Sequence, residues 1–333
     1  MIRLDTLRLQ VPTDTIKNID FGKFTEDTKK DNETQEVIKR IEKIKDKYKP
    51  IGLSEFTFNE NYFTLTMSAK VLKKSYYELI TKNTIEEVFN NVNQSKALEL
   101  DINTAIDRAE VLRCDVTNNL KVSKSVDSYL KLLYNYKLNR NYLVSKYHQH
   151  GGSVIFKRDV KTYKERMIFY NKEFEILRDK QLIKFFTSKE FRQFENDLRC
   201  EQNITSFKNI REQFKIGTHN LKDVLNSTAK PNLRVYDRIT DKKLEALLLF
   251  EEYDNKKIRF QDIVKMEGMK GIIKKFNYNE KLIREFIRHY YKGQPSHWNK
   301  KFSNMIRKLQ SERETNKKEI ASIQEIRRLL EVA

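Results

Sequence analysis

Short runs in which apolar and polar residues alternate recur from the N-terminus to Asn203, separated by helical runs in no regular β-α order. A period of two puts successive side chains on opposite faces of a strand, so each run has one face to bury. Hairpins and sequence-distant strands bury such faces together as an antiparallel β-sheet with helices on one face, an α+β fold. From residue 205 onward the pattern is helical almost throughout. This predicts a mixed domain over 1–228 and a helical, basic domain over 229–333, with the break at Thr228-Ala229-Lys230-Pro231-Asn232. No solenoid-type repeat interrupts that order.

The opening MIRLDTLRLQV reads as a strand. Val37, Ile38, Ile41, Ile44 and Tyr48 fall at helical spacing before Pro50, which predicts an amphipathic helix. Residues 51–58 and 62–67 flank Asn59-Glu60-Asn61 and predict a β-hairpin, with Phe63, Leu65 and Met67 on its buried side. Residues 84–94 read as a helix, Val111 to Thr117 as a strand, and Ser125 to Val144 as a helix with an apolar stripe. After Gly151-Gly152 come strands at Ser153 to Phe156, Arg166 to Tyr170 and Leu198 to Asn203, the last two separated by a charged helix reaching Phe186.

Charge narrows the partner. Subtracting 47 Asp and Glu from 66 Lys and Arg leaves +19, which with a pI of 9.6 points to an anionic partner, nucleic acid first. A membrane is not expected, because the apolar residues come in runs far short of the roughly 20 that a spanning helix needs. The N-terminus lacks the apolar core of an export signal. Cys114 and Cys200 lie in no C-x-x-C pair, which excludes a four-thiolate zinc site and fits a reducing cytoplasm. With 16 Tyr and 20 Phe against 8 Gly and 4 Pro, the chain has ample core and stacking material and is no disordered tail.

Two segments echo each other, Leu112-Arg113-Cys114-Asp115 and Leu198-Arg199-Cys200-Glu201. On neighbouring strands Asp115 and Glu201 can meet and offer the hard oxygen ligands that Mg²⁺ or Mn²⁺ prefers. The alternative is that each acid pairs with an adjacent basic group. Between them lies Arg166-Met167-Ile168-Phe169-Tyr170-Asn171-Lys172-Glu173-Phe174-Glu175. On an extended backbone Tyr170 and Lys172 point the same way, and a nearby cation helps a phenol attack a phosphodiester as phenolate. A tyrosine in such a strand is more often core than nucleophile, and spacing does not single out Tyr170 among 16.

Taken in order, these segments resemble the gene II/X replication initiators of filamentous phages and related plasmid proteins, which have a Rep/relaxase-like nuclease sheet. The opening strand resembles the family's first strand, and Met67-Ser68-Ala69-Lys70-Val71-Leu72 is similar to its Ser/Pro-Ala-Lys-Val-Leu box. Val111 to Thr117 resembles its Arg-x-Asp strand and Leu198 to Glu201 its Arg-x-Glu strand. Tyr170, Lys172 and Glu175 match an active-site segment with lysine two and an acid five positions after the tyrosine. The likeness covers roughly residues 1–215 and covers the C-terminal part poorly.

The resemblance implies rolling-circle replication: nicking of one strand at an origin of single-stranded or hairpin DNA, a 5′-phosphotyrosine, a 3′ end extended by host polymerase and helicase, and religation. It implies Mg²⁺ or Mn²⁺ held by Asp115 and Glu201, with Glu175 on the far side from Tyr170 if the strand continues. His148-Gln149-His150 is similar to the His-hydrophobe-His metal motif of the wider relaxase and Rep superfamily, although Gln149 departs from it. The alternative for these histidines is a solvated strand end or a phosphate contact. A non-enzymatic initiator binding duplex origin repeats and a mobilisation relaxase are the rival readings.

Residues 281–310 hold eight Lys or Arg and one Glu, interleaved with aromatics. Cations neutralise phosphates and aromatics stack on bases. The candidate DNA contacts are Arg284, Arg288, Tyr290, Tyr291, Lys292, Trp298, Lys300, Lys301, Arg307 and Lys308, on two helices divided at Gly293-Gln294-Pro295. The alternative is a helical pair whose aromatics are core.

Overall fold

The computed structural model describes residues 1–30, 37–58, 61–135, 142–147, 152–160, 163–240, 260–290 and 295–333. The strands are β1 (Leu4–Pro12), β2 (Ile16–Ile19), β3 (Phe24–Lys30), β4 (Val37–Ile44), β5 (Leu53–Phe58), β6 (Tyr62–Ser68), β7 (Leu98–Leu100), β8 (Glu110–Lys121), β9 (Leu143–Tyr147), β10 (Ser153–Val160), β11 (Tyr163–Asn171) and β12 (Asp197–Thr205). Eight form one antiparallel sheet in the order β5-β6-β1-β8-β12-β11-β10-β9. The helices are α1 (Ile85–Asn93), α2 (Ile102–Arg108), α3 (Val126–Asn135), α4 (Lys172–Arg178), α5 (Ser188–Phe191), α6 (Phe207–Phe214), α7 (Leu221–Asn226), α8 (Pro231–Ile239), α9 (Phe260–Lys275), α10 (Glu280–Tyr290) and α11 (Pro295–Val332). The chain is α+β, as the interleaved pattern predicts.

Alternation builds the sheet, and one break in it matters. Ile2, Leu4, Leu7, Leu9 and Val11 are all buried, so the apolar phase slips from even to odd positions between Leu4 and Leu7. The pairing slips with it: Leu4 lies opposite Val116 but Thr6 opposite Asp115. This β-bulge sets two residues of β1 against one of β8. Asp5 and Thr6 are consequently both left out of the apolar layer.

That layer includes Phe156, Phe169, Cys114 and Cys200, all buried. Helix α8 packs on it, with the Tyr236 ring edge-on to Phe169 at 6.1 Å. Asn232, buried at the start of α8, donates to the Val116 carbonyl at 3.1 Å and to Asn118 Oδ1 at 2.7 Å, which satisfies polar groups that burial takes from water.

Two expected helical segments are strands. Val37–Ile44 is β4, paired with β3 and with Phe24 opposite Ile44. Val37, Ile38, Ile41 and Ile44 have helical spacing, but all are β-branched and stiff at χ1, and β3 supplies hydrogen-bond partners. Helix α3 is described as Val126–Asn135, and Leu143–Tyr147, whose first two residues the sequence pattern assigns to the end of that helix, is the edge strand β9 against β10.

The chain divides into two compact units, Met1–Thr240 with Ile326–Ala333, and Asp241–Glu325. Helix α8 therefore belongs with the sheet, although it lies beyond the break expected at 228. In the second unit Ile273, Ile283, Ile287, Phe302 and Ile306 form a core shared by α9, α10 and α11. Among the described residues no helix is long and apolar enough to cross a membrane.

Candidate active site

The sheet face opposite α8 carries a polar cluster over its central strands. Tyr170 on β11 lies opposite Arg199 on β12, Arg199 lies opposite Asn119 on β8, and Glu201 follows two residues after Arg199. Opposed residues, and residues two apart, share a face. The Tyr170 hydroxyl accordingly donates a hydrogen bond to Glu201 Oε1.

The extended backbone expected to align Tyr170 with Lys172 stops at Asn171. Asn171 Oδ1 accepts from the Phe174 amide at 3.2 Å and caps α4. Lys172 begins that helix, fully buried, and its ammonium donates to Tyr76 and to Glu175. It approaches Tyr170 over the ring, 5.6 Å from the centroid, instead of serving its hydroxyl. The helical turn also brings Glu175 into this cluster, where a continued strand would have pointed it away.

Arg199, fully buried, ties the cluster together. Its Nε donates to Asn119 Oδ1 at 2.8 Å, and its Nη1 donates to Asp5 Oδ1 at 3.0 Å and to the Tyr76 hydroxyl at 3.1 Å. Nη1 is also 3.7 Å from Glu201 Oε1. The Tyr76 hydroxyl donates in turn to Asp5 Oδ1 at 3.2 Å.

Asp5 and Tyr76 are functional candidates that the sequence reading missed. For Asp5 a signal existed: the phase slip between Leu4 and Leu7 marks the bulge that turns it to this face. For Tyr76, on the 3₁₀ segment Ala69–Glu78, no sequence signal points here. That segment is held by Gly52, which has φ +83° and whose carbonyl accepts from the Ser68 amide at 2.7 Å. A Cβ on Gly52 would lie 2.4 Å from the Val71 amide nitrogen.

Burial sets the protonation states. It pushes the Glu201 carboxyl up to about 7, with the Asp5 charge adding to the effect and Arg199 and Lys172 opposing it. It also raises the Tyr170 phenol well above its ordinary value, helped by the charges of Glu201 and Glu175. Burial and then Arg199 hold the Lys172 ammonium below its usual range. For Asp5 burial acts upward, but Arg199, Lys172 and the Tyr76 hydrogen bond together keep the carboxyl below its ordinary value. Burial alone favours a neutral Arg199, yet Tyr76, Tyr170, Asp5 and Glu201 keep it charged.

Asp115 and Glu201 do not form the expected metal pair. Asp115 lies opposite Asn203, accepts from its amide, and is 3.2 Å from Arg113 Nη2, so the adjacent basic group claims it. Among the described residues no group of three or more His, Cys, Asp or Glu is placed to hold a metal ion. Asp5, Glu175 and Glu201, the carboxylates that do gather, each face a buried cation within 4 Å. These carboxylates are already neutralised by fixed cations, and on that ground the site does not fit Mg²⁺ or Mn²⁺. His148 and His150 lie outside the described residues.

In the second unit Arg284 and Arg288 on α10 are exposed and four residues apart, and so share a side of the helix. Lys300, Lys301, Arg307 and Lys308 on α11 are exposed, as two pairs seven apart. Arg284 is 2.6 Å from Glu280. Trp298, expected to contact DNA, is partly buried against the core of this unit, with the Lys301 ammonium 5.2 Å from its ring centroid. The Tyr290 side chain, Tyr291 and Lys292 lie outside the described residues.

A phenol hydrogen-bonded to a carboxylate whose proton affinity matches neutral pH has the chemistry of a nucleophile beside its base, and buried cations nearby can offset developing negative charge. This arrangement can carry out displacement at an electrophilic centre such as phosphorus. Comparison of the chain with protein-family models, with curated proteins and with solved structures gave no match.

Proposed function

We propose that the chain is a tyrosine endonuclease and strand transferase that starts rolling-circle DNA replication. It nicks and rejoins one strand of single-stranded or hairpin origin DNA in a bacterial cytoplasm, leaving a 3′ end to host polymerase and helicase. The observation that carries this reading is the Tyr170 hydroxyl held on Glu201 across adjacent strands, with Arg199 and Lys172 buried beneath.

In the step it supports, Tyr170 Oη attacks the scissile phosphorus and its proton passes to Glu201. The O–P bond forms as the P–O3′ bond breaks, and the departing 3′ oxygen takes a proton from water. One phosphodiester replaces another, so the reverse reaction reseals the strand. The exposed cations of α10 and α11 supply sequence-independent attraction to the phosphate backbone.

Incubation with supercoiled DNA of the replicon that encodes the chain is expected to give nicked circles with protein on the 5′ end. Tyr170→Phe, which removes only the attacking oxygen, should lower adduct formation by at least about 10³-fold. An equally competent variant removes Tyr170 from the role and leaves Tyr163 or Tyr147 to be tested.

The basic faces of α10 and α11 also favour a non-enzymatic initiator that binds duplex repeats, and this predicts binding with no covalent adduct under any condition. A mobilisation relaxase shares the chemistry but requires a transfer origin in place of a replication origin.

A further inference from the structure

We propose that this site works without a bound divalent ion, with Arg199 and Lys172 serving as its fixed cations, an inference that rests on the strand-transfer reading. The argument is one of occupancy. The carboxylates that gather around Tyr170 are Asp5, Glu175 and Glu201, and each lies against a guanidinium or an ammonium group. Those cations cannot swing aside into solvent. Arg199 and Lys172 are both 0% exposed, and each is anchored on neutral partners as well as on the acids: Arg199 on Asn119 and Tyr76, Lys172 on Tyr76.

A divalent ion would have to bind beside two fixed positive charges and take up carboxylates that already neutralise them. The same charges can do electrostatically what a metal ion does. As Tyr170 Oη bonds to phosphorus, the P–O3′ bond breaks, the phenol proton moves to Glu201 and water protonates the departing oxygen. The negative charge added on the phosphoryl oxygens then develops in the field of Lys172, whose ammonium lies 5.6 Å from the Tyr170 ring centroid. Arg199 lies against Glu201 and Lys172 over the Tyr170 ring, so both are positioning residues that act through Glu201 and through the field at Tyr170.

Two measurements on the full chain test the idea. The first is SDS-resistant adduct with single-stranded oligonucleotides labelled on the 3′ side, in excess EDTA and in Mg²⁺. Yields agreeing within about twofold are expected, since a lost catalytic ion costs orders of magnitude in rate. The second is Mn²⁺ binding followed by electron paramagnetic resonance, for wild type and for Glu201→Gln. The same number of bound ions is expected in both. Adduct that forms only with metal, together with a Mn²⁺ ion that wild type binds and Glu201→Gln loses, overturns the inference while leaving the strand-transfer reading intact. Absence of adduct with every strand and metal sinks the strand-transfer reading instead, and the Mn²⁺ comparison then decides on its own whether the cations exclude the ion.

Discussion

At Glu201, burial weakens a carboxylic acid and by the same measure makes it a better base. With its carboxyl pushed up to about 7, Glu201 is half protonated near neutral pH, and on the strand-transfer reading only the ionised half could take the Tyr170 proton. Single-turnover adduct formation should therefore fall about tenfold per pH unit below about 7 and level off above it. Glu201→Gln, which keeps the shape and removes the base, should flatten that profile and lower the plateau by about 10²-fold or more. A wild-type rate that does not change between acid and alkaline buffer rules out Glu201 as the base.

Asp197, fully buried at the start of β12, carries a stability cost that can be separated from catalysis. Burial raises its carboxyl from 3.8 to about 6, with Arg199 and Lys121 opposing. The folded chain thus holds this proton to higher pH than the unfolded chain does, so the contribution of Asp197 to stability is greatest below pH 3.8 and is lost as pH rises towards 6. Asp197→Asn should accordingly stabilise the chain by about 1–3 kcal/mol at alkaline pH and by close to nothing at about pH 4. Denaturant midpoints at the two pH values check this, and an equal gain at both contradicts it.

At the scale of elements, Gly52 controls whether Tyr76 reaches the site. Its left-handed φ is free for glycine and strained for any other residue, and the 2.4 Å approach to the Val71 nitrogen leaves no room for a Cβ. Gly52→Ala should cost about 1–3 kcal/mol from backbone strain alone. It should also slow adduct formation, because relief of the clash shifts the segment Ala69–Glu78 that carries Tyr76. Thermal unfolding together with single-turnover rates tests both, and a variant equal to wild type in stability removes the steric argument.

The elements also show what can be read from a sequence. Strands β1, β8, β11 and β12 follow from alternation, and the β5–β6 hairpin from its turn, because each signal lies within a few residues. Strands β4 and β9 do not, since Val37 and Leu143 are strand residues only by virtue of partners brought up by the fold. The site divides in the same way. Tyr170 and Glu201 sit on strands legible in themselves. Glu175 depends on where Asn171 ends β11, a cap that the Asn side chain does advertise. Asp5 depends on a bulge set by pairing with β8, and Tyr76 on a loop held by a glycine.

For the whole molecule, on the strand-transfer reading, the question is where a net charge of +19 would act on DNA. Around Tyr170 the cations are buried and matched by Asp5, Glu175 and Glu201, so that site adds little to long-range attraction. Exposed positive charge includes a group on α11, where Lys300, Lys301, Arg307 and Lys308 face solvent. Each phosphate that these residues neutralise releases condensed counterions, and the salt dependence of binding counts the contacts. Replacing all four with Gln should weaken DNA binding at low salt and make the plot of log K against log salt shallower by about 3, as expected for roughly 0.7–0.9 per phosphate contact. The loss should be the same for every sequence tested, because phosphate contacts carry no base information. Fluorescence anisotropy across a salt series measures both quantities. Since Arg199, Lys172 and Glu201 are untouched, adduct formed at saturating DNA should keep the wild-type rate. A slope that does not change takes DNA binding away from α11 and leaves α10 as the basic face to examine.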